Sequence, residues 1–337
     1  MSTPMLIFAG ALVFAVGGTP LMRYIAPYLG VIDQPSARKV HVEPTPRLGG
    51  MAIFVAVMLA LLFLQDERNF DQFVSILIAA SWMSFLGLWD DRWGVPPMLK
   101  LLGQAAGALF LVLNDVQVLL PHFPEWANVA VTLLWLVGVT NAFNLLDNMD
   151  GLSGGIAAIT AAFFLLMSTF SGQYLVGALA AAVLGACAGF LIYNYNPASI
   201  FMGDSGSLFL GFLLAATGIK LRFPDNVTFV TWMIPPLVLG IPLFDTTLVV
   251  ISRLRRRLNP LTTPGKDHVS HRLVATGMTQ REAVLTLYLV AGVFGLVATF
   301  VTRANAREGY VAGGGVVLAA LYALWRLERD WIKREET

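Results

Sequence analysis

Two adjacent carboxylates, Asp90 and Asp91, follow the apolar run FVSILIAASWMSFL in the stretch GLWDDRWG, residues 87–94. Neighbouring anions repel each other, so a fold that places both where a hydrophobic segment ends usually has a use for their charge. Adjacent side chains on a helix point about 100° apart, so the pair would not bind one ion through the same face. We therefore expect separate functions for the two. The alternative is a solvated helix end in which Arg92 is their partner.

A second polar block, NAFNLLDNMDGLSGG at 141–155, follows another apolar run. Amides and carboxylates recur in it at helical spacings of three and four residues, namely Asn141, Asn144, Asp147, Asn148 and Asp150. That spacing places them along one helix face, which we expect to face the protein interior or a water-filled cleft rather than lipid. Polar packing between helices is the alternative, but packing alone does not require two carboxylates.

A third block, YNYNPASIFMGDSGSL at 193–208, carries Asp204 and no Lys or Arg. A carboxylate in a cation-free loop is either solvated or binds a metal ion. Mg²⁺ prefers one or two carboxylates together with water and the phosphate oxygens of a substrate, and the turn GDSG can offer one carboxylate. Alone, this block is a weak signal for a metal site.

Two basic segments could bind phosphate, the usual counter-ion of clustered cations. The first, at 33–50, combines Arg38, Lys39 and His41 with prolines that favour a fixed, extended path. The second, SRLRRRLNPLTTPGKDHVSHRL at 252–273, has an arginine run and ends in His268, His271 and Arg272. Membrane topology and attraction to lipid headgroups also explain the arginine run. The two histidines lack the further ligands of a tetrahedral metal site, so phosphate binding is favoured.

The elements that must position these residues are membrane spans. The chain has 337 residues, 57% of them hydrophobic and 13% charged, and its mean hydropathy is +0.71. This composition is far more apolar than a soluble domain needs, and it predicts an all-α polytopic membrane protein. Eleven runs are long enough to be candidate spans, near 5–22, 49–64, 73–89, 98–113, 128–144, 153–170, 174–192, 206–220, 228–250, 283–302 and 310–326.

The distribution of Lys and Arg predicts the orientation of these spans. If the chain crosses the membrane eleven times, the loops on one side of the membrane and the C-terminal tail together carry 17 of the 22 basic residues. By the positive-inside rule this set is cytoplasmic, so we expect the N-terminus outside and the C-terminus inside. No Lys or Arg precedes Arg23, so the first run is interpreted as a retained span rather than a cleaved signal. No linker or repeat is visible, which favours a single domain over 1–337.

All the polar blocks then lie at the cytoplasmic face. The carboxylates there, together with Asp245 near a span end, are surrounded by cations from 38–47 and 253–272. Carboxylates for a divalent ion beside cations for phosphate oxygens are typical of metal-assisted phosphoryl transfer. An acceptor with its tail in the bilayer and its phosphate at the interface is the expected substrate, and the donor would come from the cytoplasm. Cys187 is the single cysteine, so no intramolecular disulfide is expected.

The order of these blocks resembles a known family. DD after a span, NAFNLLDNMDGLSGG, NYNPASIFMGDSGS, PLFDT and a basic loop ending in histidines, over about 33–275, are similar to the polyprenyl-phosphate N-acetylhexosamine-1-phosphate transferases. The resemblance implies transfer of a sugar-1-phosphate from a UDP-sugar to undecaprenyl phosphate in the bacterial cytoplasmic membrane, with release of UMP. It also implies Mg²⁺, with Mn²⁺ as an alternative, and no nucleic-acid partner. Members are often homodimers, but no interface is visible in the spans.

The resemblance assigns roles to individual residues. It makes Asp204 the principal metal ligand and Asp91 a second metal ligand with a catalytic role, and it makes Asp90 the catalytic group that deprotonates or positions the polyprenyl phosphate. The remaining roles are catalytic for Asp147 and Asp150, nucleotide contacts for Asn144, Asn194 and Phe201, and phosphate or sugar contacts for Arg38, Lys39, His41, His268, His271 and Arg272. We further expect Asp91→Asn and Asp204→Asn to abolish activity and leave folding intact, because both carboxylates have cation-poor surroundings beside a phosphate-binding loop.

One departure from the family pattern bears on the donor. Members often carry further histidines in the last loop, whereas HVSH places Ser270 at one of those positions. This counts against a MurNAc-pentapeptide donor. UDP-GlcNAc is the commonest donor in the remaining branch, and UDP-GalNAc or a deoxy-HexNAc nucleotide stays open, since the preference depends on pocket contacts.

Two other classes of protein compete with the transferase. A secondary transporter of a phosphorylated solute also holds carboxylates within a helical bundle, but its sites usually lie near the bilayer midplane between repeats. A scaffold subunit of an envelope complex would show no metal-dependent turnover and would tolerate Asp204→Asn. The acidic residues of this chain cluster at one predicted membrane face, and no repeat is visible.

Overall fold

A computed structural model of the chain describes residues 2–34, 44–62, 70–260, 262–263 and 265–335. The chain divides into two compact units, Met1–Arg222 and Phe223–Thr337, and each is described by itself. The prediction of a single domain over 1–337 stays a prediction.

The described residues of the first unit form eight helices and a short ribbon of two strands. The helices are α1 Thr3–Ile25, α2 Gly49–Leu61, α3 Phe70–Trp93, α4 Pro97–Val112, α5 Glu125–Leu146, α6 Leu152–Phe170, α7 Tyr174–Asn194 and α8 Asp204–Lys220. The strands β1 (Ile32–Asp33) and β2 (Thr45–Pro46) pair antiparallel, with Ile32 opposite Pro46. The sequence predicted no strands, because two residues are too few to show a period.

The core of the first unit is built around α7 and α8. Helix α7 packs against α1 and α6, and α8 packs against α3, α5 and α2. Every residue of α8 from Ser205 to Ile219 is buried. A helix that is apolar around its whole circumference and buried on all sides belongs in the centre of a bundle. The first residue of this central helix is Asp204, so the predicted metal ligand lies where α8 emerges from the core.

In the second unit, the residues that the structure describes form six helices. These are α9 Thr228–Thr231, α10 Ile234–Val238, α11 Gly240–Arg255, α12 Val269–Ala275, α13 Gln280–Val301 and α14 Ala306–Glu335. Helix α13 begins with a capping box in which the Thr279 side chain accepts from the Glu282 N–H, and the Glu282 carboxylate accepts from the Thr279 N–H. Helices α10, α11, α12 and α14 all pack against α13.

Among the described residues, each of the eleven predicted spans lies mostly on helix, and the fold is helical as predicted; residues 63–64 of the second predicted span lie outside the described residues. Within the part of the chain that the structure describes, seven helices are long and apolar enough to cross a membrane by themselves, namely α1, α3, α5, α6, α7, α13 and α14. The chain is therefore a multi-pass membrane protein. The count of eleven and the orientation stay predictions.

The other four predicted spans differ from simple crossing helices. The segment near 228–250 is broken, because Thr228–Val238 and Gly240–Arg255 meet at a bend of 72°. Helices α2 and α4 are shorter apolar helices, and α8 has 17 residues. The 13 residues of α2 rise about 20 Å, less than the ~30 Å of the hydrocarbon core. Hydropathy alone did not distinguish these shorter or bent helices from full spans.

Candidate active site

The first turn of α8 is capped by Asp91, a residue of α3. Asp91 Oδ1 accepts a hydrogen bond from the Asp204 N–H at 2.9 Å, and Oδ2 accepts one from the Ser205 N–H at 3.0 Å. The Arg47 Nε lies 3.1 Å from Oδ1, and the Asp91 side chain is fully buried. The first N–H groups of a helix have no intrahelical partner, so Asp91 satisfies two of them from another helix. Asp91 therefore determines where Asp204 lies.

Backbone contacts attach the start of α2 to the segment before α8. The Gly49 N–H donates to Phe201 O at 2.9 Å, and the Gly50 N–H donates to Met202 O at 2.8 Å. A Cβ on Gly50 would lie 2.1 Å from the backbone nitrogen of Gly206, so α2 and α8 approach more closely than any side chain allows. This contact explains the glycine pair at the end of the predicted loop 33–50.

Two cations hold the Asp204 carboxylate. Arg47 Nη2 lies 2.8 Å from Oδ1, and Lys100 Nζ pairs with Oδ2. The cation-poor surroundings expected for Asp204 were therefore wrong, whereas Arg47 belongs to the cations of 38–47 that were expected around the carboxylates. Arg47 and Lys100 are 157 and 104 positions away in the sequence, so only tertiary packing brings them to this turn.

The Lys100 ammonium lies among three oxygen atoms from three other helices. Its Nζ is 2.8 Å from Asp90 Oδ2 and 3.0 Å from Asn144 Oδ1, and it also pairs with Asp204 Oδ2. The remaining Asp90 oxygen, Oδ1, accepts from the Val95 N–H at 2.7 Å. Asp90 and Asp91 thus point to different partners, as the divergence of adjacent helical side chains predicted.

This set of donors fits a hard divalent cation. Two carboxylates and one amide carbonyl, from Asp90, Asp204 and Asn144, surround a positive charge in the structure. Mg²⁺ selects oxygen ligands and usually takes one or two carboxylates, completing its shell with water and phosphate. Within the described part of the chain, no group of three His, Cys, Asp or Glu side chains is arranged to hold a metal ion. Substrate or water oxygens would therefore have to supply the remaining ligands.

The amides of α5 face inward, as predicted. Asn141 exchanges hydrogen bonds with the fully buried Gln104 of α4, and Asn144 Nδ2 donates to Ser207 Oγ of α8 at 3.0 Å. For Asn141, polar packing between helices, the alternative to a functional role, is therefore what the structure shows. Asn144 both packs against α8 and contributes its carbonyl oxygen to the cluster around Lys100.

Asp147 lies just after α5 ends and differs from the other carboxylates. Within the described ranges its carboxylate makes no hydrogen bond and no ion pair. Burial raises the pKa of Asp147 to about 7; Arg47 opposes this shift, whereas the Asp204 and Asp91 carboxylates reinforce it. A carboxylate with a pKa near neutrality can accept a proton at physiological pH. This agrees with a catalytic role, which stays a prediction.

Asp150 holds the turn that follows α7. Its Oδ2 accepts from Asn196 Nδ2 and from the Ala198 N–H, both at 3.0 Å. The carboxylate is therefore used to shape the segment leading to Asp204. The catalytic role of Asp150 stays a prediction. The hydrogen bonds show a second role, which is to hold the turn after α7.

Asn194 has a similar structural use. Its Oδ1 accepts from the Gly151 N–H at 3.1 Å, and its Nδ2 donates to Ile200 O at 2.9 Å. Asn194 is buried, and these bonds engage both ends of its amide. The side chain ties the turn after α5 to the segment before α8. The predicted nucleotide contacts of Asn194 and Phe201 stay predictions.

We expect Asp91→Asn to destabilise the fold by about 1–3 kcal/mol, because it turns an acceptor at a buried cap into a donor. In the variant, the side-chain NH2 group of the new asparagine would face the N–H of Asp204 or of Ser205, and two donors cannot form a hydrogen bond. Thermal unfolding in detergent measures the loss, with Asp90→Asn as the matched control, since Asp90 accepts only one backbone N–H. Equal unfolding temperatures for wild type and Asp91→Asn would contradict the capping role. This revises the sequence-based expectation that folding is unaffected.

In the second unit, Asp245 and His268 form a buried pair. Asp245 Oδ2 lies 2.8 Å from His268 Nδ1, and Oδ1 accepts from the Val269 N–H at 2.7 Å. The carboxylate thus orients the His268 ring and also caps α12. Burial, with the nearby His268 and Lys266 charges, lowers the pKa of His271 to about 4. His271 is therefore neutral at physiological pH.

The arginine run mostly makes intramolecular ion pairs. Arg253 Nε and Arg256 Nη2 lie 2.9 and 2.7 Å from Asp267 Oδ2. Arg255 Nε lies 2.7 Å from Glu328 Oε1, so this arginine contacts α14. These arginines organise the basic loop itself, beyond the topological role that the sequence suggested.

Arg272 is buried in the same network. Its Nη1 lies 2.7 Å from Glu328 Oε2 and 3.0 Å from Leu327 O, and its guanidinium stacks 5.2 Å from the Trp331 ring centroid. Only 2% of the residue is exposed. Arg272 therefore anchors the basic loop to α14. Its predicted contact with the donor, like those of His268 and His271, stays a prediction.

Replacing Glu328 with Gln is expected to lower the free energy of unfolding by about 2 kcal/mol, the usual size for hydrogen bonds to charged groups. Breaking a buried ion pair leaves its partner charges uncompensated, and Glu328 pairs with both Arg255 and Arg272. Asp330→Asn on the same helix is the matched control, because its pairs with Arg326 and Arg329 are exposed and contribute about 0–1 kcal/mol. Chemical unfolding of both variants in detergent checks this. Equal losses in the two would mean that Glu328 does not secure the loop.

Three predicted phosphate ligands, Arg38, Lys39 and His41, lie outside the described residues. Sequence reasoning did not name Lys100 and Glu328 as site residues. One signal for Lys100 was available, since it is the first lysine after the DD pair and lies one helical turn before Gln104 on α4. No comparable signal marks Glu328 among the charges of the tail.

The fold and the site together define a class of protein. Its members are helical membrane proteins that hold two carboxylates, an amide and two cations at the start of a central helix. Residues 73–222 match the family model described as glycosyl transferase family 4. This segment contains Asp90, Asp91 and Asp204.

Relatives extend the match to most of the chain. The chain is 36% identical over 295 residues to a probable undecaprenyl-phosphate N-acetylglucosaminyl 1-phosphate transferase of Bacillus subtilis, covering 85% of this chain and 82% of the relative. It is 31% identical to a decaprenyl-phosphate N-acetylglucosaminephosphotransferase of Mycolicibacterium smegmatis, covering 92% and 85%. It is 28% identical to a phospho-N-acetylmuramoyl-pentapeptide-transferase of Staphylococcus carnosus, covering 76% and 85%. The chain belongs to the polyprenyl-phosphate N-acetylhexosamine-1-phosphate transferase family, as the motif order predicted.

Proposed function

We propose that this chain transfers GlcNAc-1-phosphate from UDP-GlcNAc to undecaprenyl phosphate. A phosphate oxygen of the lipid attacks the β-phosphorus of the donor, the bond between that phosphorus and the bridging oxygen breaks, and UMP leaves. The products are undecaprenyl-diphosphate-GlcNAc and UMP. The observation that carries this proposal is the cluster of Asp90, Asn144 and Asp204 around a cation in a chain whose relatives are named for this transfer.

We propose Mg²⁺ as the cofactor, with Mn²⁺ as an alternative. Asp204 and Asp90 would hold it, with the Asn144 carbonyl as a third donor. When bound, the metal ion would withdraw charge from phosphate oxygens and help orient the donor. Asp91 would act by fixing the position of Asp204 through the cap on α8, because both of its oxygens already accept backbone hydrogen bonds. This differs from the metal-ligand role that the resemblance implied.

The protein's own cations support phosphate chemistry at this site. Arg47 and Lys100 place two positive charges beside Asp204, where phosphate oxygens would approach. Guanidinium and ammonium groups both bind phosphate, and preorganised charges contribute most where charge develops in the transition state. The lipid phosphate has a second pKa of about 6, so it is largely deprotonated at pH 7. Asp90 would therefore position the acceptor more than it would act as a base.

We propose that the site faces the cytoplasm of a bacterial inner membrane. The bias of Lys and Arg supports this orientation, with the N-terminus outside and the C-terminus inside. A polyprenyl chain in the bilayer would present its phosphate at the same interface, and the nucleotide sugar would arrive from the aqueous side. This orientation corresponds to eleven membrane spans, and seven helices among the described residues are long and apolar enough to be such spans.

UMP release by the detergent-purified protein tests this function. The reaction contains UDP-GlcNAc, undecaprenyl phosphate and Mg²⁺, and the controls omit the lipid or add EDTA. Release that requires both lipid and metal is the expected result. A panel of UDP-GalNAc and deoxy-HexNAc nucleotides then defines the donor. Absence of release with every UDP-HexNAc would contradict the transferase and favour a transporter, an alternative that the named relatives do not support.

A further inference from the structure

The position of the Lys100 ammonium has a consequence for metal binding. Its three oxygen partners are the donors that would hold Mg²⁺, so this inference rests on the proposed function. Mg²⁺ binds oxygen at about 2.1 Å, whereas Lys100 Nζ lies 2.8 Å from Asp90 Oδ2 and 3.0 Å from Asn144 Oδ1. A metal ion on these same oxygens would occupy the space of the ammonium. The two cations therefore exclude each other.

We propose that Lys100 is a built-in competitor of the divalent cation, which binds the cluster only when it displaces the Lys100 side chain. Lysine suits this exchange because its ammonium is a point charge on a flexible stem, whereas the planar guanidinium of arginine is held by its geometry. The displaced ammonium stays tethered one side-chain length from the cluster. It is then free to pair with phosphate oxygens of the bound substrate.

The charges around the cluster explain why Lys100 weakens the binding of a divalent cation. Three carboxylates, Asp90, Asp91 and Asp204, face two cations, Arg47 and Lys100. With the ammonium in place, the carboxylates are nearly neutralised, which weakens their attraction for a dication. Arg47 bonds the opposite oxygen of Asp204, Oδ1, and can remain there while Oδ2 changes partner. Lys100 is thus the cation whose departure exposes the ligand oxygens.

Mn²⁺ binding to the metal-stripped, full-length protein in detergent tests the proposal. Electron paramagnetic resonance of free Mn²⁺ gives the Kd directly, without substrate or turnover. Lys100→Met removes the competing charge and keeps the length of the side chain, so we expect it to bind Mn²⁺ at least about tenfold more tightly than wild type, corresponding to 1.4 kcal/mol. Lys100→Arg keeps the charge and should not tighten binding.

Lys220→Met is the matched control. Lys220 lies at the other end of α8 and pairs with Gln72, so its loss should leave the Kd for Mn²⁺ unchanged. If Lys100→Met does not fold, Lys100→Gln tests the same loss of charge with a polar side chain. The rise in unfolding temperature caused by Mn²⁺ is a second readout, and it should be larger in the neutral variants than in wild type.

The outcomes separate this inference from the proposed function. If wild type binds Mn²⁺ and a neutral Lys100 variant binds it equally or more weakly, Lys100 is not a competitor and the inference fails alone. If neither protein binds Mn²⁺ and turnover is insensitive to EDTA, the proposed metal site fails and takes the inference with it. Tighter binding only in the neutral Lys100 variants supports the exchange.

Discussion

Asp204→Asn is expected to lower kcat for UMP release by about 10²–10³-fold or more. The carboxylate is the common partner of Arg47 and Lys100 and the proposed metal ligand, so its loss removes the charge around which the cluster is assembled. Removing a single preorganised electrostatic contact from an active site typically has an effect of this size. The measurement is steady-state UMP release at saturating UDP-GlcNAc and lipid, with thermal unfolding to verify that the variant is folded.

Asp71→Asn is the matched control for this substitution. Asp71 is an exposed residue in the first turn of α3, and its side chain lies outside the cluster. We expect turnover within twofold of wild type for Asp71→Asn. Turnover by Asp204→Asn close to wild type would remove Asp204 from the metal site.

Gly87→Ala is expected to damage the site without changing any polar group. A Cβ at position 87 would lie 2.2 Å from Asp204 O, 2.3 Å from Asp204 C and 2.5 Å from Ser205 N. These are backbone atoms, so α3 and α8 would have to separate, and the Asp91 cap spans this same contact. Overpacking typically costs 1–3 kcal/mol in stability. We expect about 10²-fold slower UMP release together with a lowered unfolding temperature.

Gly138→Ala is the control for Gly87→Ala. Gly138 lies inside α5, and a Cβ there would meet no atom within 4 Å. Alanine is favoured over glycine in a helix by about 0.5–1 kcal/mol, so this variant should be as stable as wild type or slightly more stable. Equal turnover in the two variants would show that the close contact of α3 with α8 does not position Asp204.

The sequence by itself determined the class of this protein and the chemistry of its polar blocks. Long apolar runs predicted the helices, because a run that must bury its backbone in lipid has little choice but to be helical. The blocks around Asp90, Asn144 and Asp204 were identified because charged and amide side chains are costly beside apolar spans and persist where they are used. The order of those blocks identified the family, which the relatives confirmed.

The tertiary structure decided which partner each of those side chains has. Asp91 and Asp204 are 113 positions apart, and nothing in either stretch shows that one caps the helix of the other. Arg47 reaches Asp204 because α2 packs against α8, and Lys100 reaches it because α4 packs against α3 and α5, the neighbours of α8. Arg272 is buried against Glu328 rather than free in a basic loop. Local sequence specifies residue types and periodicity, whereas capping, ion pairing and glycine contacts depend on distances between helices remote in sequence. Those distances arise only when the apolar faces have packed.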